Sequence, residues 1–533
     1  MEFTMIQTGW VSLIPPLLAI TLALLTKEVY SSLFIGVFSG MLIYAFAAGG
    51  SLVSAAAMTF DMMSAKIADN AYMIIFLALL WAVVRLVSKS GGSEAYGQWA
   101  GKRLKTKRAA ALSTSLLGIL VFIDDGFNSL TVGTVMRPIA DKLHISREKL
   151  AYLIDATAAP VCIIAPVSSW AVAVASEVSE EGGFTLFLST IPYNLYALLT
   201  IAMVFLVSLT GKDFGPMLAA EKQALQSSPA ASGEEAAEKD RGRVIDLVLP
   251  IVVLIVCAIL GMAYVGGFFK GQPFSEAIGY NPTAGLSLGA FAGLITAFAL
   301  YIPRRLMTAR DFIGDIVHGI SDIIPPMLIL ILSWSLGGVC RELIGTGTFI
   351  SGFVSRAHLP LGFLPFLIFV IAALMSFSMG TSWGTFGILI PIVSMICEAE
   401  GAAAFLIPAL GATLAGSVYG DHCSPISDTT ILASTGASCE HIRHVETQLP
   451  YATLVAFICA AGYLIAGFTL TPWIALAAQT VLLGGAIYIL NRKKEKPSMK
   501  LWYFWTERHS FWTGTKDRNA LSAVPVTAGN ISI

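Results

Sequence analysis

Apolar runs near the length of a bilayer crossing, about 20 residues each, recur along this chain. They fall near 11–26, 29–49, 71–88, 150–176 and 185–209, then near 244–265, 283–303, 321–340, 402–436, 450–468 and 471–490. In hydrocarbon every backbone N–H and C=O must find a partner within the protein, which leaves helices and closed barrels. Runs of this length and continuity read as helices. Composition agrees: 13% of the 533 residues are charged and 56% hydrophobic, against roughly 25% charged in a soluble domain. The expected fold is therefore an all-α polytopic membrane protein of about eleven spans. Its environment is a lipid bilayer.

Several classes drop out. A net charge of −1 gives no basic footprint for nucleic acid. The seven cysteines are scattered without a C-x-x-C pair, so neither a disulfide framework nor a thiolate zinc site is indicated. No resident metal or other cofactor is expected. The N-terminus carries Glu2 and no basic residue before Lys27, unlike a cleaved signal peptide. Asn530-Ile531-Ser532 matches a glycosylation acceptor, but it lies in a tail expected to be cytoplasmic. The aromatic stretch 502–512 suggests membrane-surface contact.

Two further apolar stretches, 109–136 and 359–397, are placed by the basic residues, which favour the cytoplasmic side. Lys102, Arg103, Lys105, Lys107 and Arg108 precede the first stretch; Arg137, Lys142, Arg147 and Lys149 follow it. A single crossing would put these loops on opposite sides. A re-entrant hairpin keeps both inside. A matching hairpin over 359–397, entered from outside, brings Arg492-Lys493-Lys494-Lys496 to the cytoplasm. The stretch 51–68 reads as a surface amphipathic helix or connector.

The resulting organisation has two halves, 1–209 and 244–468, joined by a polar linker at 210–243. An extra span at 469–490 and a cytoplasmic tail at 491–533 follow. Each half has three spans, a hairpin and two spans, in opposite orientation. Inverted repeats with broken helices are a secondary-transporter architecture, with the site near the midplane. Aligning Gly126 with Gly380 also matches Thr131 with Thr385 and Gly133 with Gly387.

Four polar clusters lie at corresponding places. The first is Phe122-Ile123-Asp124-Asp125-Gly126-Phe127-Asn128 at the middle of the first hairpin; on a helix Asp124, Asn128 and Thr131 would share a face and Asp125 would turn away. The second is Asp155-Ala156-Thr157-Ala158-Ala159-Pro160 followed by Pro166, Ser168 and Ser169. Its prolines would unwind a span and free carbonyls, which is tolerated only against protein or a water-filled cavity. The third, Ser378, Thr381, Ser382 and Thr385 among glycines, marks the second hairpin turn. The fourth is the run 420–430, where Asp421, Ser424 and Asp428 would share a helical face despite Pro425, beside His422, Ser427 and Thr429.

Carboxylates at this depth are costly. One central Asp costs roughly 2.5–3.5 kcal/mol, so Asp124, Asp125, Asp155, Asp421 and Asp428 together add on the order of 12–18 kcal/mol. No folding requirement calls for that, so ion or substrate binding is the functional reading. A carboxylate withdrawn from water holds a proton more readily, and a coordinated cation expels it. That competition is the minimum chemistry of an antiporter. His422 is a candidate proton relay.

The motif Gly420-Asp421-His422-Cys423-Ser424-Pro425-Ile426-Ser427-Asp428-Thr429-Thr430 closely resembles the signature of the NhaC family of sodium/proton antiporters. Phe122–Gly126 and Asp155–Pro160 fit that family in order and spacing. The resemblance covers roughly residues 8–490. It implies a bacterial inner-membrane antiporter of the ion-transporter superfamily with paired re-entrant hairpins, carrying sodium ions and protons. It leaves open a sodium- and proton-coupled carrier of a small organic acid or amino acid, in which Thr381, Ser382, Ser168 and Ser169 would bind the solute. A homodimer is compatible with this reading. An intramembrane aspartyl protease is a remote alternative, because its Gly-x-Gly-Asp motif placed on Asp421 would need Gly where Val418 stands.

Overall fold

The computed structural model describes residues 4–26, 28–178, 182–226, 242–349, 360–398 and 401–492, and among them there are helices and turns but no strand. Residues through Ile487 form one compact unit; of the second, from Tyr488, only the end of helix Pro472–Arg492 is described. The chain is a multi-pass membrane protein. Ten helices among the described residues are long and apolar enough to cross a bilayer. Two of the expected runs are missing from that set. Residues 11–26 give only the short helix Ile14–Thr26, and 150–176 is broken into Arg147–Asp155, Ala159–Cys162 and Ser169–Val178. Leu361–Met379, read from sequence as half a hairpin, is in the set.

The two hairpins are built differently at their tips. Lys107–Leu120 and Asp125–Lys142 are separated by four residues whose last, Asp124, is extended and caps the second helix. The outer ends of this pair meet: Lys107 Nζ donates to the carbonyl of His144. In the second pair, Leu364–Met379 and Ser382–Cys397, the turn is Gly380 and Thr381. Gly380 takes the left-handed conformation, φ 68°, which a side chain disfavours. Aligned on helix starts, Asp125 meets Ser382, so the sequence echo built on Gly126 and Gly380 is displaced by about one helical turn.

The second broken segment ends one helix at Cys423 and starts the next at Asp428. Pro425 explains the interruption, since it cannot donate to a helix and its ring disfavours helical geometry before it. The expected common face of Asp421, Ser424 and Asp428 therefore does not exist.

Packing between residues 1–209 and residues 244–468 is reciprocal. Leu52–Asp69 packs on Ile324–Gly338, while Ala309–Asp322 packs on Ala71–Lys89. Likewise Asp125–Lys142 packs on Asp428–Ala437, and Ser382–Cys397 packs on Ser169–Val178. The stretch 51–68 is thus a helix with Ala55, Thr59 and Met62 buried. Close approach of Asp125–Lys142 to Asp428–Ala437 depends on glycines: a Cβ on Gly133 would lie 2.5 Å from the backbone of Gly436.

The first part of the linker stretch is not a loop. Gly215–Gln226 is helical, Asp213 pairs with buried Lys149 at 2.6 Å, and Glu221 accepts from the Ser146 amide at 2.6 Å and pairs with Lys107 at 3.5 Å. These contacts gather both basic loops on one face. Residues 227–241 and the tail after 492 lie outside the described residues.

Candidate functional site

Asp124 reaches two elements. Its Oδ1 accepts from the Phe127 amide at 3.0 Å, capping Asp125–Lys142, and its Oδ2 accepts from Ser169 Oγ at 3.1 Å. The Ser169 amide in turn donates to the Ile123 carbonyl at 2.9 Å. Because Asp124 is the cap, it does not share a helical face with Asn128 and Thr131. Asp125, the first helical residue, is buried rather than turned away.

Asn128 has a structural assignment. Its Nδ2 lies 2.6 Å from the Gly118 carbonyl, 3.0 Å from that of Val121 and 3.1 Å from that of Thr157. These carbonyls are left over where Lys107–Leu120 and Arg147–Asp155 end, and a buried helix end needs such partners. Thr157 donates to the Leu153 carbonyl at 2.7 Å. Ser168 lies against the Cys162 and Ala165 carbonyls, at 2.8 and 3.0 Å, and accepts from the Ala171 amide at 3.0 Å. Both hydroxyls thus serve the broken segment itself.

Asp421 is buried. Its Oδ2 accepts from Ser382 Oγ at 3.0 Å and from Thr429 Oγ1 at 3.1 Å, whereas Oδ1 has no partner. A hairpin tip and both sides of a helix break thereby meet on one carboxylate. Ser427 caps the following helix through the Thr430 amide at 3.3 Å and contacts Thr429 Oγ1 at 3.0 Å. Ser424 Oγ accepts from the Ile426 amide at 3.4 Å. Gly380 closes against the same break, where a Cβ would sit 2.6 Å from the Ile426 carbonyl oxygen. Thr385 donates to the Thr381 carbonyl at 2.9 Å, and Ser378 and Thr381 are half-buried at the turn. Asp428 differs from Asp421 in being exposed, with its Oδ1 accepting from the Thr429 amide at 2.9 Å.

Asp155 is fully buried, and of its partners only His422 figured in the sequence reading. Gln448 Nε2 donates to its Oδ2 at 2.6 Å, His444 Nε2 lies 3.4 Å from the same oxygen, and His422 Nε2 lies 4.0 Å from Oδ1. Gln448 Nε2 also donates to the His422 carbonyl at 2.9 Å, and Tyr196 Oη meets His422 Nδ1 at 3.1 Å. His444 and Gln448 stand four residues apart on His441–Thr469, the spacing of one helical face. That spacing was the available signal. Glu177, also buried, was missed because it adjoins an acidic sequence that reads as a loop.

The five aspartates form one electrostatic unit. Repulsion links Asp124 to Asp125, Asp125 and Asp155 to Asp428, and both Asp428 and Asp155 to Asp421. Around them stand the N-termini of four half-helices, beginning at Asp125, Ser169, Ser382 and Asp428. The positive ends of these helix dipoles offset negative charge. Among the described residues, no Lys or Arg makes an ion pair with any of the five. The arrangement can hold a small cation on oxygen ligands, or a proton. Among the described residues, no group of three His, Cys, Asp or Glu side chains is placed to hold a resident metal.

The Na+/H+ antiporter family matches residues 170–468. A Haemophilus influenzae protein described only as "uncharacterized" is 38% identical over 502 residues, 90% of this chain and 95% of that one. The malate-2H(+)/Na(+)-lactate antiporter of Bacillus subtilis is 31% identical over 33% of this chain and 40% of its own length. The fold is similar to that of the Alcanivorax borkumensis YdaH transporter, with a TM-score of 0.52 and 13% identity over 78% of this chain and 90% of that one.

Proposed function

The chain belongs to the Na+/H+ antiporter family, and from that premise we propose that it exchanges sodium ions for protons through its membrane-embedded aspartates. It is a secondary transporter of antiporter type, not an enzyme. The observation that carries the proposal is the unpartnered Oδ1 of buried Asp421, whose other oxygen is held by Ser382 and Thr429. A sodium ion at Oδ1 would complete an oxygen shell with hydroxyls already at hand. A proton on Asp421 would occupy the same oxygen, so the two exclude each other. Asp124, Asp125, Asp155 and Asp428 set the surrounding field and supply further ligands, with Ser169, Ser427 and Thr429. The reciprocal packing of the halves supports an inverted repeat, whose halves would rock about this point to give alternating access. The face with both basic loops would be cytoplasmic, with the C-terminus on the same side of a bacterial inner membrane.

A second reading is a cation-coupled exchanger of a small organic acid. It is favoured by the four convergent helix N-termini, which suit a carboxylate, and by the similarity to a malate/lactate antiporter. Proteoliposomes given a sodium gradient, with and without malate, lactate or amino acids, separate the two. Sodium-driven proton movement without any solute supports the first reading, and an absolute requirement for solute supports the second.

A further inference from the structure

Among the described residues three buried carboxylates stand outside the central cluster: Asp213 pairs with Lys149 and Asp246 with Arg304, whereas Glu177 has no ion pair. Glu177 lies eight residues beyond Ser169 on one helix, about 12 Å along its axis, and is 5% exposed. The chain comes from the second basic loop to the central site along Arg147–Asp155 and continues from it along Ser169–Val178, with Glu177 near the far end. Glu177 Oε2 lies 2.8 Å from Ser333 Oγ, and its Oε1 has no partner. Ser333 Oγ also contacts the Gly387 carbonyl.

The hydrogens can be counted. Gly387 and Pro391 are four apart in Ser382–Cys397, and proline has no N–H to donate. The Gly387 carbonyl therefore lacks its usual helical partner, and the Ser333 hydroxyl is the donor that satisfies it. Ser333 has a single hydroxyl hydrogen. With that hydrogen on Gly387, the contact with Glu177 is a hydrogen bond only if the acid donates. Ser382 presents no such conflict, because the Ser417 carbonyl near it also accepts from Ser376 at 2.6 Å.

The neighbouring charges leave room for a neutral acid. Arg341 is the charged group acting on Glu177, and it is 3.7 Å from Glu398. Glu342 at the same end pairs with Lys66, which also reaches Asp69. Cys340 and Cys397 are titratable groups on two of the helices packed here; Ala71–Lys89, which also packs on Ser169–Val178, adds Tyr72, Arg85 and Lys89, and Ala159–Cys162 adds Cys162. Trp170 stands between Ser169 and Glu177 on one helix, and Trp383 and Phe386 between Ser382 and Gly387 on the other, with the three ring centroids 5.6 to 5.7 Å apart.

We infer that Glu177 is a proton-binding site on the route between the central aspartates and the face opposite the basic loops, holding its proton through the Glu177–Ser333–Gly387 chain while the aromatic trio separates it from the centre. The proton comes from water at that face and sits on a carboxylate oxygen until the trio parts. This rests on the proton-coupled reading above.

The test uses the full-length protein and Glu177→Gln, whose amide can still donate to Ser333. Infrared spectra at neutral pH should show a protonated-carboxyl band in the wild type that Glu177→Gln lacks. In proteoliposomes the variant should lose sodium-driven proton flux to the level of protein-free vesicles while retaining sodium–sodium counterflow. An unchanged carboxyl band, or full proton flux in the variant, overturns the inference. If Glu177→Gln does not fold, Ser333→Ala takes its place: a shifted band supports the chain and an unshifted band refutes it. Should the wild type move no protons with sodium, the sodium reading fails, and the infrared comparison still decides whether Glu177 carries a proton.

Discussion

Replacing Asn128 with Leu keeps side-chain volume and removes the amide that ties the first hairpin to the first broken segment. Asn128 Nδ2 has two hydrogens and three carbonyls within 3.1 Å, those of Gly118, Val121 and Thr157. At least two hydrogen bonds are lost, and the site is fully buried, so water does not replace them freely. A buried group left unsatisfied costs about 1–3 kcal/mol, which puts the loss at about 2–6 kcal/mol. The penalty falls on the contact that positions Asp124 against Ser169, so transport should fall as well. Equilibrium unfolding in mixed micelles, alongside flux normalised to inserted protein, would measure both. A variant within about 0.5 kcal/mol of wild type, the range of ordinary surface substitutions, would refute the structural assignment of Asn128.

Gly380→Ala forces a side chain into a left-handed conformation and a Cβ to 2.6 Å from the Ile426 carbonyl. A strain of about 1–3 kcal/mol and a marked loss of flux in inserted protein are expected; unimpaired flux would show that the hairpin tip and the break do not need this contact. Asp428→Asn should abolish exchange despite the exposure of Asp428, and wild-type flux in that variant would remove it from the mechanism. Cysteines at Gln98 and Leu143 should both be labelled from one face, the cytoplasmic one, whereas labelling from opposite faces would make 109–136 a single span. Truncation after Pro497 should leave flux intact, and an inserted but inactive truncation would make the tail part of the machinery.

The breaks were legible because proline and charge are local signals. Pro160, Pro166 and Pro425 each sit where an apolar run is interrupted, and the lysines and arginines around 109–136 pointed to a hairpin whose ends meet at Lys107 and His144. Side-chain direction was not legible. Asp421 and Asp428 were expected on one face because helical periodicity was carried across Pro425, and Asp124 was grouped with Asn128 for the same reason. Periodicity ends where the helix ends, and Asp124 and Asp428 each stand at such an end. His444 and Gln448 lie more than 280 residues from Asp155 in sequence, so only the fold brings them to it. Glu177 becomes meaningful only once the Gly387 carbonyl, which Pro391 leaves without a helical donor, is known to stand beside Ser333, a contact between segments that no local pattern encodes.

The central claim is that one carboxylate, Asp421, is shared by sodium and proton. The most direct measurement is sodium-driven proton movement in solute-free proteoliposomes containing wild-type protein or Asp421→Asn, at equal inserted amounts and over a range of internal pH. Wild-type vesicles should change internal pH when a sodium gradient is imposed, with half-maximal sodium concentration rising as pH falls, because protons occupy the same oxygen. Asp421→Asn should show neither the pH change nor sodium counterflow. Sodium-coupled proton movement that persists in Asp421→Asn would contradict the account.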